Sequence, residues 1–120
     1  MSPFSASGCG AFIRDYEGAY GSPPNDAFAA LGYDAARLLG SALNEVKGDV
    51  SDLDILRKAI RKADFDTVRG KFAFSANQHP IQDIYIREVV KAADGSYTNR
   101  TIKTVFKDHS NVYVEQCKMK

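Results

Sequence analysis

The chain has 120 residues, 44% of them hydrophobic and 26% charged, and its 16 basic and 15 acidic side chains leave a formal net charge of +1. That length suits one domain, and that balance belongs to a globular chain rather than a disordered one. The charges are interspersed, which leaves no electrostatic footprint for nucleic acid or an anionic membrane, and no apolar run approaches the roughly 20 residues that span a bilayer.

Residues 1–10 read as a flexible lead-in, because the first eight are small or polar around Pro3. They show neither a basic n-region nor an apolar h-region, so no signal peptide is expected and the chain should stay where it is made. Residues 11–120 read as one continuous piece of a domain. From Ala11 to about Ala19 the pattern predicts a short amphipathic helix with Phe12, Ile13 and Tyr16 on one side, stopped by Gly21-Ser22-Pro23-Pro24. A second, longer helix is expected from a cap at Asn25 or Asp26 to about Val46. Its apolar stripe is read as Phe28, Leu31, Ala35, Leu38, Leu39, Ala42 and Val46. Gly32, Ala36 and Gly40 form a second row of small residues. Each glycine costs about 1 kcal/mol relative to alanine in a helix interior, which predicts close approach of another backbone there.

Gly48 ends this helix, and Ser51-Asp52-Leu53-Asp54 resembles a capping box that opens a third helix through Leu56, Ile60 and Ala63 to about Asp64. The period then changes from 3.6 to 2. Phe72 and Phe74 mark a short strand, and a polar loop follows at Asn77-Gln78-His79-Pro80. Longer strands are expected over Asp83 to about Lys91 and Tyr97 to about Lys107. Ala93-Asp94-Gly95-Ser96 between them reads as a hairpin turn in which glycine supplies the positive φ. One helical turn is expected near Val112 and Tyr113. Helices followed by a few strands and a hairpin make an odd order for a complete domain, since two or three strands cannot cover two good helical faces. The order suits part of a larger α/β protein.

Few residues suggest chemistry. His79 and His109 both read as surface-loop residues. Asp108-His109-Ser110 contains the residue types of a hydrolytic triad, but adjacent residues cannot adopt its geometry, and no GxSxG elbow accompanies them. No phosphate-binding glycine motif is present, and Asp52, Asp54, Asp64 and Asp66 lack the spacing of a calcium loop. No catalytic residue, metal site or cofactor is expected, and the chain is not read as an enzyme. A bridge between Cys9 and Cys117 would close a loop of about a hundred residues and stabilise by about 4–5 kcal/mol in the chain-entropy model, given an oxidising compartment. Two free thiols fit the sequence equally well. The aromatics Phe12, Tyr16, Tyr20, Phe28 and Tyr33 cluster in the first third of the chain, and most of such a stripe is expected to be core. Phe28 stands apart, because it lies in the first turn after Pro23-Pro24, where α/β proteins place ligand contacts.

Tyr20-Gly21-Ser22-Pro23-Pro24 followed by Phe28-Ala29-Ala30-Leu31-Gly32-Tyr33-Asp34-Ala35-Ala36 resembles the periplasmic binding proteins of the leucine/isoleucine/valine type. The resemblance continues through Phe65-Asp66-Thr67-Val68-Arg69-Gly70-Lys71-Phe72-Ala73-Phe74 and through Pro80-Ile81-Gln82-Asp83-Ile84-Tyr85-Ile86-Arg87-Glu88-Val89-Val90-Lys91. It implies an α/β fold, here a partial lobe of the type I periplasmic binding fold, ending in a C-terminal hairpin. It implies that the chain supplies the last helices of one lobe and crosses the hinge near Asp83–Ile86 into the other. The position matching Phe28 lines the pocket for the ligand's side chain, with Tyr33 one turn further along as a second ligand contact. The implied partners are a small carboxylated solute and the membrane permease of an ABC transporter, and the implied location is the periplasm. The stretch from Pro80 to Lys91 is similar to a subgroup associated with aromatic acids rather than aliphatic amino acids. The family's members are well over twice this length, and the first-lobe loops that grip a ligand's carboxylate and ammonium have no counterpart here. The competing reading is a structural or interaction domain that self-associates as a homo-oligomer through its unmatched helix faces and hairpin edges.

Overall fold

The computed structural model describes residues 7–24 and 27–118. Helix α1 spans Ser7–Tyr20, α2 spans Ala27–Glu45 and α3 spans Leu53–Lys62. Strands β1 (Ala73–Phe74), β2 (Pro80–Lys91) and β3 (Tyr97–His109) follow, and a 3₁₀ turn covers Val114–Gln116. The expected order of helices, strands and hairpin is therefore present. Helix α1 begins at Ser7, inside the stretch read as a lead-in. Cys9 explains the extension, since it lies one turn before Phe12 and is buried with it. The expected cap of α2 at Asn25 or Asp26 lies outside the described residues, as do residues 1–6.

The core is small. Phe12, Ala30 and Val68 are fully buried, with Ile13, Tyr16, Ala29 and Tyr33 packed against them. Burying a side chain the size of Phe12 or Val68 contributes about 1.5–3 kcal/mol each. Helix α2 turns Ala30, Asp34 and Ala42 inward. The stripe expected to be buried is corrected accordingly: Phe28, Leu31, Ala35 and Leu39 are exposed, while Leu38 and Val46 are half-buried. The small side chains of Ala30 and Ala42 meet the rest of the segment, while Leu31, Leu39 and Leu43 stay exposed. The close approach expected along Gly32, Ala36 and Gly40 is not made either, because a Cβ placed on Gly32 or Gly40 would meet nothing within 4 Å.

Asp34 is the one acidic side chain among the buried residues, at 2% exposure. Its Oδ1 accepts the backbone N–H of Val68 at 2.9 Å, and its Oδ2 accepts Nε–H of Arg69 at 2.8 Å. These bonds join the middle of α2 to the segment entering β1 and bring Val68 against Phe12 and Ala30.

Helix α3 opens within the expected capping stretch but one residue later than a box begun at Ser51 would place it: Asp52 is the cap, and its carboxylate accepts from the backbone N–H groups of Asp54 and Ile55. The helix ends at Ala63, which takes the left-handed conformation at φ 51°. Phe65, Phe72 and Phe74 then stack edge to face, with centroids 5.6 and 4.9 Å apart, beside the short pairing of β1 with β2.

The sheet has the order β1-β2-β3 and is antiparallel throughout. The hairpin turn forms where the sequence places it. Gly95 adopts φ +85°, Ala92 N–H donates to the Ser96 carbonyl at 2.8 Å, and Asp94 Oδ1 accepts from both the backbone and hydroxyl of Ser96. From Tyr85 to Phe106 nearly every residue is exposed, so this part of the hairpin is bare on both faces. Cys9 and Cys117 are not bridged.

Replacing Asp34 by Ala would strand the Val68 N–H and remove the partner of Arg69, whose side chain retains 27% exposure. A loss of about 2–3 kcal/mol is expected, below the full cost of breaking a wholly buried pair because Arg69 can still reach water. Urea unfolding followed by circular dichroism measures it, and a loss under 0.5 kcal/mol, as at an ordinary surface position, would remove Asp34 from this role.

The Ser96 hydroxyl, and then the Ser96 N–H, hold the Asp94 carboxyl below the usual carboxylate range. A depressed folded value means that the turn is favoured above the unfolded carboxylate pKa and loses that support as pH falls through the folded value. Carbon NMR titration of Asp94, with amide protection of Ser96 across acid pH, should show the two falling together. Protection of Ser96 that persists after Asp94 is protonated would contradict this.

Candidate functional site

The connection between the first two helices positions the aromatic residues. Helix α1 stops at Gly21, whose φ of +75° belongs to the left-handed region, with its N–H donating to the Glu17 carbonyl at 2.8 Å. Proline cannot donate to a helix ladder and biases its predecessor toward extended backbone, so Pro23 and Pro24 keep α1 and α2 apart. Phe28 then falls in the first turn of α2, next to the last turn of α1. Its ring is 77% exposed.

The two helices enclose an open groove of about 380 Å³ whose lining includes Phe12, Asp15, Tyr16, Tyr20, Phe28 and Tyr33. Both residues expected at a ligand site thus lie in one groove. Phe12 forms its floor, with its ring centroid 4.9 Å from Tyr33 and 5.9 Å from Tyr16. Tyr16 continues the row to Tyr20 at 4.5 Å. The guanidinium of Arg37 lies over the ring of Tyr33, 5.8 Å from its centroid. The aromatic cluster therefore divides. Phe12 is core as expected, Tyr16 and Tyr33 are half-buried, and Tyr20 and Phe28 stand open at the rim.

The groove offers aromatic faces and edges and one carboxylate, Asp15. Such a surface takes an apolar or aromatic group by contact and stacking. It lacks a nucleophile paired with a base. Among the described residues no three His, Cys, Asp or Glu side chains gather as a metal would require. His79 is exposed in its loop, and His109 ends β3 with its ring 5.2 Å from Phe106. A second open groove of about 530 Å³ lies between α2 and the α3–β1 connection. It is polar, with Arg37, Ser41, Asn44, Asp64 and Asp66 in its lining and a long ion pair of 3.9 Å between Arg37 and the exposed Asp66.

The strands show a further feature near the expected hinge. The ladder between β2 and β3 slips between Gln82 and Ile84, between Ile84 and Tyr85, and between Ile86 and Arg87. Burial changes at the same place, from half-buried at 80–84 to exposed at 85–89. Asp83 bridges the irregularity. One of its oxygens accepts the N–H of Asp108 at 2.9 Å, the other accepts the hydroxyl of Tyr85 at 3.2 Å, and Asp108 sits at φ 48°. Partial burial and then the Asp83 charge push the Tyr85 hydroxyl above its ordinary range. Sequence reasoning did not find the Asp34–Arg69 bridge or the Asp83 contacts. Asp34 carries no local signature, because its partners Val68 and Arg69 lie 34 and 35 positions away, and the Asp108 N–H that Asp83 accepts lies 25 positions from it.

A family model described as periplasmic binding protein matches residues 6–110. The Leu/Ile/Val-binding protein homolog 6 of Brucella abortus (strain 2308) is 31% identical over 95 residues, which cover 78% of this chain and 24% of that protein. The protein of the same name from Brucella suis matches to the same extent. Among solved structures, an ABC-transporter solute-binding protein from R. palustris in complex with benzoate superposes with a TM-score of 0.76 at 33% identity, covering 91% of this chain and 28% of that one. A substrate-binding protein of an ABC transporter from Sphaerobacter thermophilus has a TM-score of 0.78 at 21% identity, a likeness of fold, over 90% of this chain and 29% of its own. The chain spans about a quarter of the length of the curated relatives it matches, 24% of each. A match that runs from the first helix to the end of the hairpin places the chain in the periplasmic binding protein family.

Proposed function

We propose that this chain is the segment of an ABC-transporter solute-binding protein that supplies the aromatic wall of the ligand cleft and one strand crossing between the lobes. The observation that carries this reading is the placement of Phe28 and Tyr33 in one groove with Tyr16 and Tyr20, at the entry of α2. The Leu/Ile/Val-binding homologue and the benzoate-bound relative support a small carboxylated solute, a branched-chain amino acid or an aromatic carboxylate. Between those two, the row of rings favours the aromatic acid, because stacked or edge-on rings gain about 0.5–1.5 kcal/mol beyond the area they bury. The groove's lining includes no cation, so the solute's carboxylate points away from it, toward donors outside this segment.

In this reading the protein binds its solute without transforming it, and the rings of the groove serve contact alone. Closure of two lobes on the solute needs contacts that exist only in the closed state. The irregular ladder from Gln82 to Arg87, with Asp83 holding the backbone of Asp108, is the segment about which the lobes turn in this reading. The loaded protein delivers its solute to the membrane permease, and the compartment is the periplasm.

In a two-lobed protein carrying this segment, Phe28→Ala should weaken binding of benzoate or leucine by about 1–3 kcal/mol, the worth of a large apolar anchor that becomes buried on closure. Isothermal titration calorimetry reads the change, and Phe28→Tyr, which keeps the ring, should retain most of the affinity. Equal affinity for wild type and Phe28→Ala would take Phe28 out of the site.

A further inference from the structure

Among the described residues that line the aromatic groove between α1 and α2, Asp15 alone is charged, and the others are aromatic, alanine or glycine. The ordinary uses of a helical acid do not account for it there. It lies outside the first turn of α1, where the helix dipole would favour a carboxylate. The residues three and four positions away are Ala11, Phe12, Gly18 and Ala19, none of which can complete a helical ion pair. Among the described residues no cation or N–H holds its carboxylate, and none of the hydroxyls of Tyr16, Tyr20 and Tyr33 in the same lining donates to it.

The groove has room for a ring beside this carboxylate. One turn beyond Asp15 on α1 the lining residue is Ala19, and one turn beyond Phe28 on α2 it is Gly32. These put little bulk between the flanking rings, and a Cβ added at Gly32 would meet nothing within 4 Å. The groove's 380 Å³ is at the small end of ligand pockets, which run to roughly 1,000 Å³, and suits a single ring. When closure of the lobes expels water from the groove, a carboxylate is costly there unless a donor replaces the water it loses. This segment brings none to Asp15, so the donor arrives with the solute.

We infer that Asp15 is a specificity-determining residue of this groove, and that the solute is an aromatic acid whose ring carries a hydroxyl or amino group at the end away from its own carboxylate. Asp15 accepts the O–H or N–H of that group in a charge-assisted hydrogen bond. Its negative charge also repels the solute's carboxylate, so the acid enters ring first. The inference rests on the solute-binding reading above and narrows its solute class. An apolar groove alone would separate ligands differing by one small group only weakly, whereas a site that bonds a hydroxyl rejects the analogue lacking it. A branched-chain amino acid is rejected on the same ground, since its aliphatic side chain leaves Asp15 unpaired.

The test measures dissociation constants by isothermal titration calorimetry in a two-lobed protein carrying this segment. Both para-hydroxybenzoate and para-aminobenzoate should bind about tenfold or more tighter than para-methylbenzoate, which fills the same space without a donor, and than leucine. Asp15→Ala should abolish the preference for the hydroxylated over the methylated acid. Because Asp15 is exposed, this variant should unfold at the wild-type temperature. Glu17→Ala removes the same charge from the exposed side of α1, outside the groove, and should keep the wild-type preference. Equal affinity for the hydroxylated and methylated acids, tightest binding of leucine, or a preference that survives Asp15→Ala would overturn the inference and leave the solute-binding reading in place. So would loss of the preference in Glu17→Ala, which would make it an effect of overall charge. Binding of none of these ligands would overturn both.

Discussion

A carboxylate taken out of water needs donors to replace the hydration it loses, and Asp34 finds two in consecutive residues of a distant segment. That requirement organises the helical half of the molecule. Meeting it fixes the rotation of α2 about its axis, because Asp34 must face the 67–69 segment. Once that rotation is set, Ala30 meets Phe12 and Val68, Tyr33 leans on Phe12, and Phe28 is carried to the open side. The large apolar residues of α2 are turned outward by the same constraint. A helix oriented by its stripe alone would bury Leu31 and Leu39, and this one does not. A polar contact therefore decides which apolar face the segment keeps and which it offers to the rest of the fold.

The groove and the irregular stretch of the hairpin follow from opposite kinds of local structure. Rigid α-helix presents the rings, and the Gly21 turn with two prolines fixes the angle at which α1 delivers Tyr16 and Tyr20 beside Phe28. Strand β2, by contrast, is irregular between Gln82 and Arg87. Register slips concentrate over a few residues of β2, while the rest of the ladder, from Arg87 to Lys91, is regular. Asp83 limits the disorder that such slips would otherwise bring, by giving a backbone N–H of β3 an acceptor that the ladder no longer supplies.

Local signals in the sequence were read well, because their physics is local. The capping stretch before α3, placed to within one residue, the Gly95 turn and the period-2 strands each rest on residues within a few positions of one another. The position of Phe28 was legible for a similar reason, since a residue just after two prolines falls in the first turn of the helix that follows. Burial was read less well. The stripe of α2 has helical spacing, yet spacing tells which residues share a face and not which face meets a neighbour within this segment. Nothing local marks Asp34 and Arg69 as partners, because they lie 35 positions apart. The extension of α1 to Ser7 was missed because small residues around Gly8 and Gly10 mask the one buried anchor, Cys9.

The separation of the core contacts bears on how the chain reaches this structure. Phe12, Ala30 and Val68 come from three segments spread over nearly half the length. Their meeting therefore waits on closing long loops, an entropic cost that precedes any reward from packing. The hairpin has no such delay, for its strands are joined by a turn that closes locally, and hairpins of this kind form in about 1–10 μs. Its bare strand edges thus exist early, before the helices have gathered around Val68. During synthesis, the helices leave the ribosome first but cannot complete their core until Val68 and Arg69 follow. The strands emerge after the helices, and their turn can close as soon as both are out, whether or not the helical core has formed.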